Sequence, residues 1–256
     1  MITIVKIGGN VIDNAAALSR FLDDFARLEG PKVLVHGGGK LATRLSERLG
    51  IETRMVEGRR ITDKETLDVV TMVYAGLTSK NIVAALAARG VKAVGLSGAD
   101  ANVIPATRRS PEPIDFGYVG DINPAEVNTN FIKTLLEAGV VPVFCALTHD
   151  GQGSLLNSNA DSVASAVAIA ASRISASRLV FCFEKPGVLL DVNDENSVIP
   201  SINRTKYAEL RAGQLIFEGM LPKIDGAFKA IDNGVKEVII KRADSLLCTA
   251  GTTITE

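Results

Sequence analysis

Two segments of this 256-residue chain place consecutive glycines directly after a short apolar run: Lys6-Ile7-Gly8-Gly9 and His36-Gly37-Gly38-Gly39. Each precedes a helical pattern, so each reads as a tight strand-to-helix turn. A turn without Cβ atoms lets backbone N–H groups approach an anion closely, and the following helix N-terminus adds partial positive charge. Glycines also serve simply to make such turns. Two of them at successive strand ends of one sheet favour a shared anion site. Neither is a Walker loop, because no Gly-x-x-x-x-Gly-Lys-Ser/Thr occurs and Lys40 comes too early; Gly-x-Gly-x-x-Gly is also absent.

Two further segments carry chemistry. Asn157-Ser158-Asn159-Ala160-Asp161 stands ahead of an apolar-periodic run over 163–171. Helix capping needs one such residue, whereas three polar residues in alternate positions suggest a convergent set at a helix start. In Phe217-Glu218-Gly219-Met220-Leu221-Pro222-Lys223, Pro222 marks a helix start and Lys223 falls in the first turn. A lysine there opposes the helix macrodipole, so it is either solvated or matched to an anion. The two histidines, His36 and His149, lie in no triad-like setting.

The elements that must position these residues alternate short β-branched runs with longer helical patterns, as in a parallel sheet covered on both faces. The spacing predicts strands over Thr3–Ile7, Lys32–His36, Lys92–Leu96, Val140–Phe144, Arg178–Phe183 and Glu237–Lys241. Helices are expected around Leu18–Leu28, from Gly39 to Gly50, over Thr66–Arg89 (one long or two abutting), and over Pro124–Ala138, Ala160–Ser172, Arg204–Ala212 and Met220–Asn233. Asn102–Gly120, with three prolines, reads as a protruding hairpin, and Asp191–Ile202 as an exposed polar excursion.

Composition bounds the class. With 46% hydrophobic residues the chain can bury a sizeable core as one domain, and a formal charge of −1 gives no basic excess for nucleic acid. The initial apolar run is too short to span a bilayer and lacks the features of a signal peptide, so a cytoplasmic protein with no membrane partner is expected. Cys145, Cys182 and Cys248 read as reduced packing residues.

Taken in order, Val5–Gly9, Val35–Gly39, Glu57-Gly58-Arg59-Arg60-Ile61-Thr62, Asn157–Asp161, Pro186-Gly187-Val188-Leu189 and Gly219–Lys223 resemble the amino acid kinase superfamily. Within it they resemble the acetylglutamate kinases of arginine biosynthesis. The resemblance covers essentially the whole chain. It implies an α/β three-layer sandwich with a central, mostly parallel sheet, the carbamate kinase-like fold. It further implies a single domain over 1–256, with an N-lobe to about residue 174 that binds the acylglutamate and dimerises, and a C-lobe from about residue 175 that binds nucleotide.

The implied reaction is ATP-dependent phosphorylation of the γ-carboxylate of N-acetyl-L-glutamate, with Mg²⁺ arriving on the nucleotide and no dedicated protein metal site. Lys6 and Lys223 would neutralise the transferring phosphoryl group and the nucleotide phosphates. Gly9 and Gly38, with neighbours Gly8 and Gly37, would donate backbone N–H groups to it. Arg60 would hold the α-carboxylate and Asn157 would help bind the same molecule. Asp161 would orient both lysines, supported by Asn159. Glu184, Gly219 and Met220 would serve the nucleotide.

Some positions depart from the family pattern. Glu184-Lys185 replaces a usual aspartate, Ser97-Gly98-Ala99-Asp100-Ala101 loses a lysine and a glycine, Ser79-Lys80 replaces Asn-Lys, and Phe144-Cys145-Ala146-Leu147 lacks a proline. These leave the acyl group open. An N-succinyl substrate would need a cation such as Arg108, Arg109 or Lys80, which otherwise read as solvated charges. Glutamate 5-kinase, aspartokinase, carbamate kinase and uridylate kinase are the rivals within enzymes, and a non-catalytic arginine- or nucleotide-sensing module is the rival of another class. A chain that starts at its first strand lacks the N-terminal helix of arginine-inhibited hexameric relatives, so a homodimer without arginine feedback is expected.

Overall fold

The structure is a computed structural model and describes residues 1–56, 58–213, 215–216 and 220–256. From the N-terminus, β1 (Ile2–Ile7) leads through the first glycine turn into α1 (Gly9–Asp13) and α2 (Ala15–Arg27). β2 (Lys32–His36) leads through the second into α3 (Gly39–Arg48), followed by the antiparallel pair β3 (Met55–Val56) and β4 (Arg59–Arg60). A continuous helical stretch comes next: α4 (Lys64–Thr71), a π-helical segment Met72–Thr78, and α5 (Ser79–Ala87). β5 (Ala93–Leu96) precedes a second antiparallel pair, β6 (Thr107–Arg108) and β7 (Gly120–Asp121). Then follow α6 (Thr129–Glu137), β8 (Val141–Cys145), the hairpin β9 (Leu147–His149) and β10 (Leu155–Asn157), and α7 (Ala160–Ser172). β11 (Ser177–Phe183), β12 (Ser201–Ile202), α8 (Arg204–Ala212), α9 (Leu221–Asp232), β13 (Glu237–Arg242) and β14 (Thr252–Ile254) complete the chain.

Eight strands form one sheet in the order β12-β14-β13-β11-β1-β2-β8-β5, parallel at every pairing except β13 with β14. Residues up to 145 supply β1, β2, β5 and β8; those after 176 supply the other four strands. The central strands are buried on both faces, which is why they read as unbroken apolar runs. Side-chain alternation divides the core. Ile4, Val33, Val35 and Phe144 point to the α7 and α9 face, whereas Val5, Ile7, Leu34 and Val143 point to α2 and α5. The result is the expected three-layer sandwich. Helix α2 is tied down at its C-terminus by buried Lys32, whose Nζ donates to the carbonyls of Phe25 (2.7 Å) and Leu28 (2.6 Å), where a cation suits the dipole.

The 24 residues Lys64–Ala87 are long and apolar enough by composition to cross a bilayer. Their apolar residues are spent inside the fold: Leu67, Val70 and Val73 pack with Ala42 and Leu147, and Ile82 and Leu86 pack with Phe21 and Leu34. This is a core helix serving two clusters.

Most expected elements are present with ends shifted by a residue or two. Three readings need correction. The helix expected over Pro124–Ala138 is interrupted: Pro124–Glu126 forms a 3₁₀ turn, Val127 is extended (ψ 128°), and α6 starts only at Thr129. Asn123 and Asn128 each cap their own segment, and Arg173 donates to the carbonyls of Pro124 and Ala125, which satisfies the groups a continuous helix would have used. The Asp191–Ile202 excursion ends inside the sheet, with Ile199 and Ile202 buried and β12 paired to β14. Of the cysteines, Cys145 and Cys182 are buried, and burial pushes both thiols up to about 12; Cys248 is exposed and is not a packing residue.

The hairpin carrying β6 and β7 is docked through its backbone. Thr62 N donates to Phe116 O (2.9 Å) and Tyr118 N donates to Thr62 O (2.7 Å), which fastens the hairpin two residues beyond Arg60. Between these bonds Gly117 has φ +72°, and a Cβ there would lie 2.2 Å from Thr62 O. Gly117→Ala is expected to lower stability by about 2–4 kcal/mol through left-handed strain and overpacking, measured by urea unfolding. A change below about 0.5 kcal/mol would show that the hairpin is not fixed at this point.

Candidate active site

Lys6 lies one residue before the end of β1, on the face toward α7. Helix α7 begins at Asn159, whose side chain accepts from Asp161 N (2.8 Å) and Ser162 N (3.2 Å). This cap places Asp161 in the first turn, where the macrodipole favours a carboxylate. Helix α9 begins at Leu221 with Pro222 and Lys223 in its first turn. Lys6 Nζ is 2.7 Å from Asp161 Oδ1 and Lys223 Nζ is 2.7 Å from Oδ2. Asp161 thus takes one ammonium group on each oxygen, and each lysine, with three N–H donors, keeps two for other acceptors. Burial alone would push the Asp161 carboxyl up, but Lys6 and Lys223 more than offset this and bring it to about 2. The carboxylate therefore stays ionised between two cations and answers why a lysine stands in the first turn of α9.

These groups face a cleft of about 730 Å³. Gly9, Gly37 and Gly38 line it opposite, together with Arg60, Asn157 and Asn159. Gly38 is the N-cap of α3, and a Cβ on it would lie 2.9 Å from the ring of Tyr74 and 3.2 Å from Thr78 Oγ1, so no larger residue fits. Buried Arg60 donates through Nη2 to Gly39 O (3.0 Å) and Thr43 Oγ1 (2.8 Å), and through Nη1 to Thr53 Oγ1 (3.2 Å). Its guanidinium is thereby fixed beside the second glycine turn. Asn157 Nδ2 donates to Thr62 Oγ1 (3.0 Å), leaving its carbonyl oxygen and one amide hydrogen for a ligand. Burial lowers His36 to about 4, so the ring is neutral; Nδ1 lies 2.8 Å from Gly37 O and braces the turn.

Other expected residues do not join this group. Gly8 N donates to Cys182 O (2.8 Å), so its N–H belongs to the sheet and is not free for a phosphoryl oxygen; Gly8 caps α1. Glu184 is exposed just beyond β11, Met220 is the N-cap of α9, and neither lines the cleft. Gly219, Phe217, Glu218 and Glu57 lie outside the described residues. Of the three cations considered for an anionic acyl group, only Arg109 lines the cleft, where it is paired with Asp121. Arg108 donates to Gly117 O and Lys80 to Gly95 O. Ala146, at the departure after β8, lines the cleft. Tyr74 and Arg59 do so as well and were not singled out from sequence: Tyr74 is hidden in an apolar helical run, and Arg59 stands beside the expected Arg60.

The sheet order brings strand ends and helix starts together around one cleft. A family model for the amino acid kinase family matches residues 1–242, and the chain belongs to that family. The acetylglutamate kinase of Bacteroides fragilis is 51% identical over 253 residues, which is 99% of this chain and 96% of that protein. Among solved structures, N-acetylglutamate synthase from Neisseria gonorrhoeae, complexed with coenzyme A and N-acetyl-glutamate, superposes with a TM-score of 0.83 at 22% identity, covering all of this chain and 59% of that one. Carbamate kinase from Giardia lamblia bound to AMP-PNP gives 0.69 at 14% identity, covering 100% and 98%. The last two are likenesses of fold.

Because Asp161 titrates at about 2 in the folded chain against roughly 3.9 unfolded, it adds stability above pH 4 that disappears as pH falls through 2. Wild type should exceed Asp161→Asn by about 2 kcal/mol at pH 7, with the gap narrowing below about pH 4, in urea unfolding at several pH values. A gap independent of pH would contradict the ionised bridge.

Proposed function

We propose that this chain transfers the γ-phosphoryl group of ATP to the γ-carboxylate of N-acetyl-L-glutamate, giving an acyl phosphate in arginine biosynthesis. The observation that carries this reading is the Lys6–Asp161–Lys223 bridge facing two glycine turns and a fixed arginine. It stands in a chain half-identical, over nearly its full length, to proteins named acetylglutamate kinase.

The nucleophile needs no general base. A γ-carboxylate has a reference pKa of about 4.3 and is already ionised near neutrality. The barrier is the approach of one anion to another and the charge spread over the transferring group, which is met by positioning and electrostatics. Arg60 and Asn157 hold the acylated amino acid with its γ-carboxylate toward the lysines. Gly9 and Gly38 donate N–H groups to the phosphoryl oxygens, as the N-termini of α1 and α3 favour negative charge there. Lys6 turns its free N–H groups to the group in flight, and Lys223 reaches it from the nucleotide side. Asp161 keeps two ammonium groups together that would otherwise repel. Among the described residues no three His, Cys, Asp or Glu side chains converge, and Asp161 is committed to two lysines, so the donor set suits Mg²⁺ carried by the nucleotide. Bound there, the ion would supply neutralising charge to the phosphates, while Lys6 and Lys223 supply the protein's share.

In this reading residues to about 174 form the lobe for the acylglutamate and for dimerisation, and those from about 175 form the nucleotide lobe, with Glu184, Gly219 and Met220 on its side. The sheet is shared between the two segments, with β1 against β11 at the junction. The protein acts in the cytoplasm as a homodimer.

Purified protein with ATP, Mg²⁺ and hydroxylamine should form hydroxamate with N-acetyl-L-glutamate and little with free L-glutamate or N-succinyl-L-glutamate. Signal only with the succinyl compound would reassign the acyl group. No signal with any of the three, from a protein that binds ATP, would favour a sensing role.

A further inference from the structure

Tyr74 belongs to the π-helical segment Met72–Thr78 between α4 and α5. Such segments widen a helix by one residue and redirect the side chains on it. Here the ring lies along the second glycine turn. A Cβ built on Gly38 would lie 2.9 Å from Cδ1 and 3.1 Å from Cε1, and one built on Gly39 would lie 3.7 Å from Oη. The hydroxyl therefore reaches the point where Arg60 donates to Gly39 O. Tyr74 is 94% buried by its 6% relative exposure, yet it lines the cleft. The Arg60 guanidinium, a donor only, bonds to the hydroxyl oxygen, and the hydroxyl's own proton has no acceptor among the described residues.

Burial pushes the phenol's pKa above its ordinary value, and the neighbouring Arg60 charge pulls it back only in part. Tyr74 is thus a neutral donor at working pH. An oxygen lone pair next to a guanidinium leaves the O–H directed elsewhere, and the group an arginine gathers beside itself is an anion.

We propose that Tyr74 is a substrate-binding residue whose hydroxyl donates a hydrogen bond to the α-carboxylate that Arg60 holds. This rests on the acylglutamate reading above. It gives the π segment a purpose: the same ring that excludes any side chain at Gly38 presents its hydroxyl to the substrate. Glycine turn, arginine and tyrosine then form one seat, with the phosphoryl-binding N–H groups and the carboxylate-binding groups in fixed relation.

Tyr74→Phe keeps the ring against Gly38 and removes only the hydroxyl. A hydrogen bond to a charged group, lost in ground and transition states alike, should raise KM for N-acetyl-L-glutamate by about ten-fold or more, with kcat and KM for ATP within about two-fold. Tm should be unchanged. The loss in kcat/KM should disappear with 4-acetamidobutanoate, which keeps the reacting carboxylate and the acetamide but lacks the α-carboxylate. A KM within two-fold of wild type, or equal losses on both substrates, would overturn the assignment while leaving the proposed reaction standing. Absence of wild-type turnover on N-acetyl-L-glutamate would overturn the reaction and this inference with it.

Discussion

Two ammonium groups reach the same carboxylate at 2.7 Å, and each comes from a different part of the chain. Without Asp161 they would repel, and the end of β1 and the start of α9 would be pushed apart. With it, a sheet strand, the N-terminus of α7 and the N-terminus of α9 are tied at one point. Much else serves this contact. The β1–β11 register, the Asn159 cap and the close packing of alanine-rich α7 on the sheet all set where the carboxylate stands. The arrangement suits phosphoryl transfer to an anionic acceptor, which requires concentrated positive charge held in place before the reactants arrive.

The opposite wall is organised by backbone groups. Arg60 is fixed by the carbonyl of Gly39 and the hydroxyls of Thr43 and Thr53. Lys40 binds Asn10 and Arg44 binds Asp13, so helices α1 and α3, which start at the two glycine turns, are laced together. The hairpin docked on Thr62 and the Asn157–Thr62 hydrogen bond close the same wall from β7 and β10. Charge on one side and oriented N–H groups on the other leave a cleft where an anion meets donors in two directions.

What could be read from sequence follows the range of the interactions involved. Buried parallel strands announce themselves as apolar runs, and Asn159, Asp161 and Lys223 are local to helix starts, so their positions were legible. The convergence of Lys6, Asp161 and Lys223 came from the family resemblance, and spacing alone did not contain it. β12 and β14 are two and three residues long and exist only through pairing with distant partners. The break at Val127 depends on Arg173, nearly fifty residues away. A π segment has the same apolar rhythm as an α-helix, so Tyr74 stayed hidden. Gly8 matched the expected motif, yet its N–H is consumed by β11, a matter of register that no motif records.

The bridged lysines are the centre of this account, and a double-mutant cycle on turnover tests them directly. Lys6→Ala and Lys223→Ala should each lower kcat by about 100-fold or more, because each loses its own charge and releases the shared carboxylate against its partner. The double variant should then fall little further than the worse single one, the non-additivity expected of groups acting as a unit. Two independent losses that multiply, or either lysine removed with kcat unchanged, would contradict it.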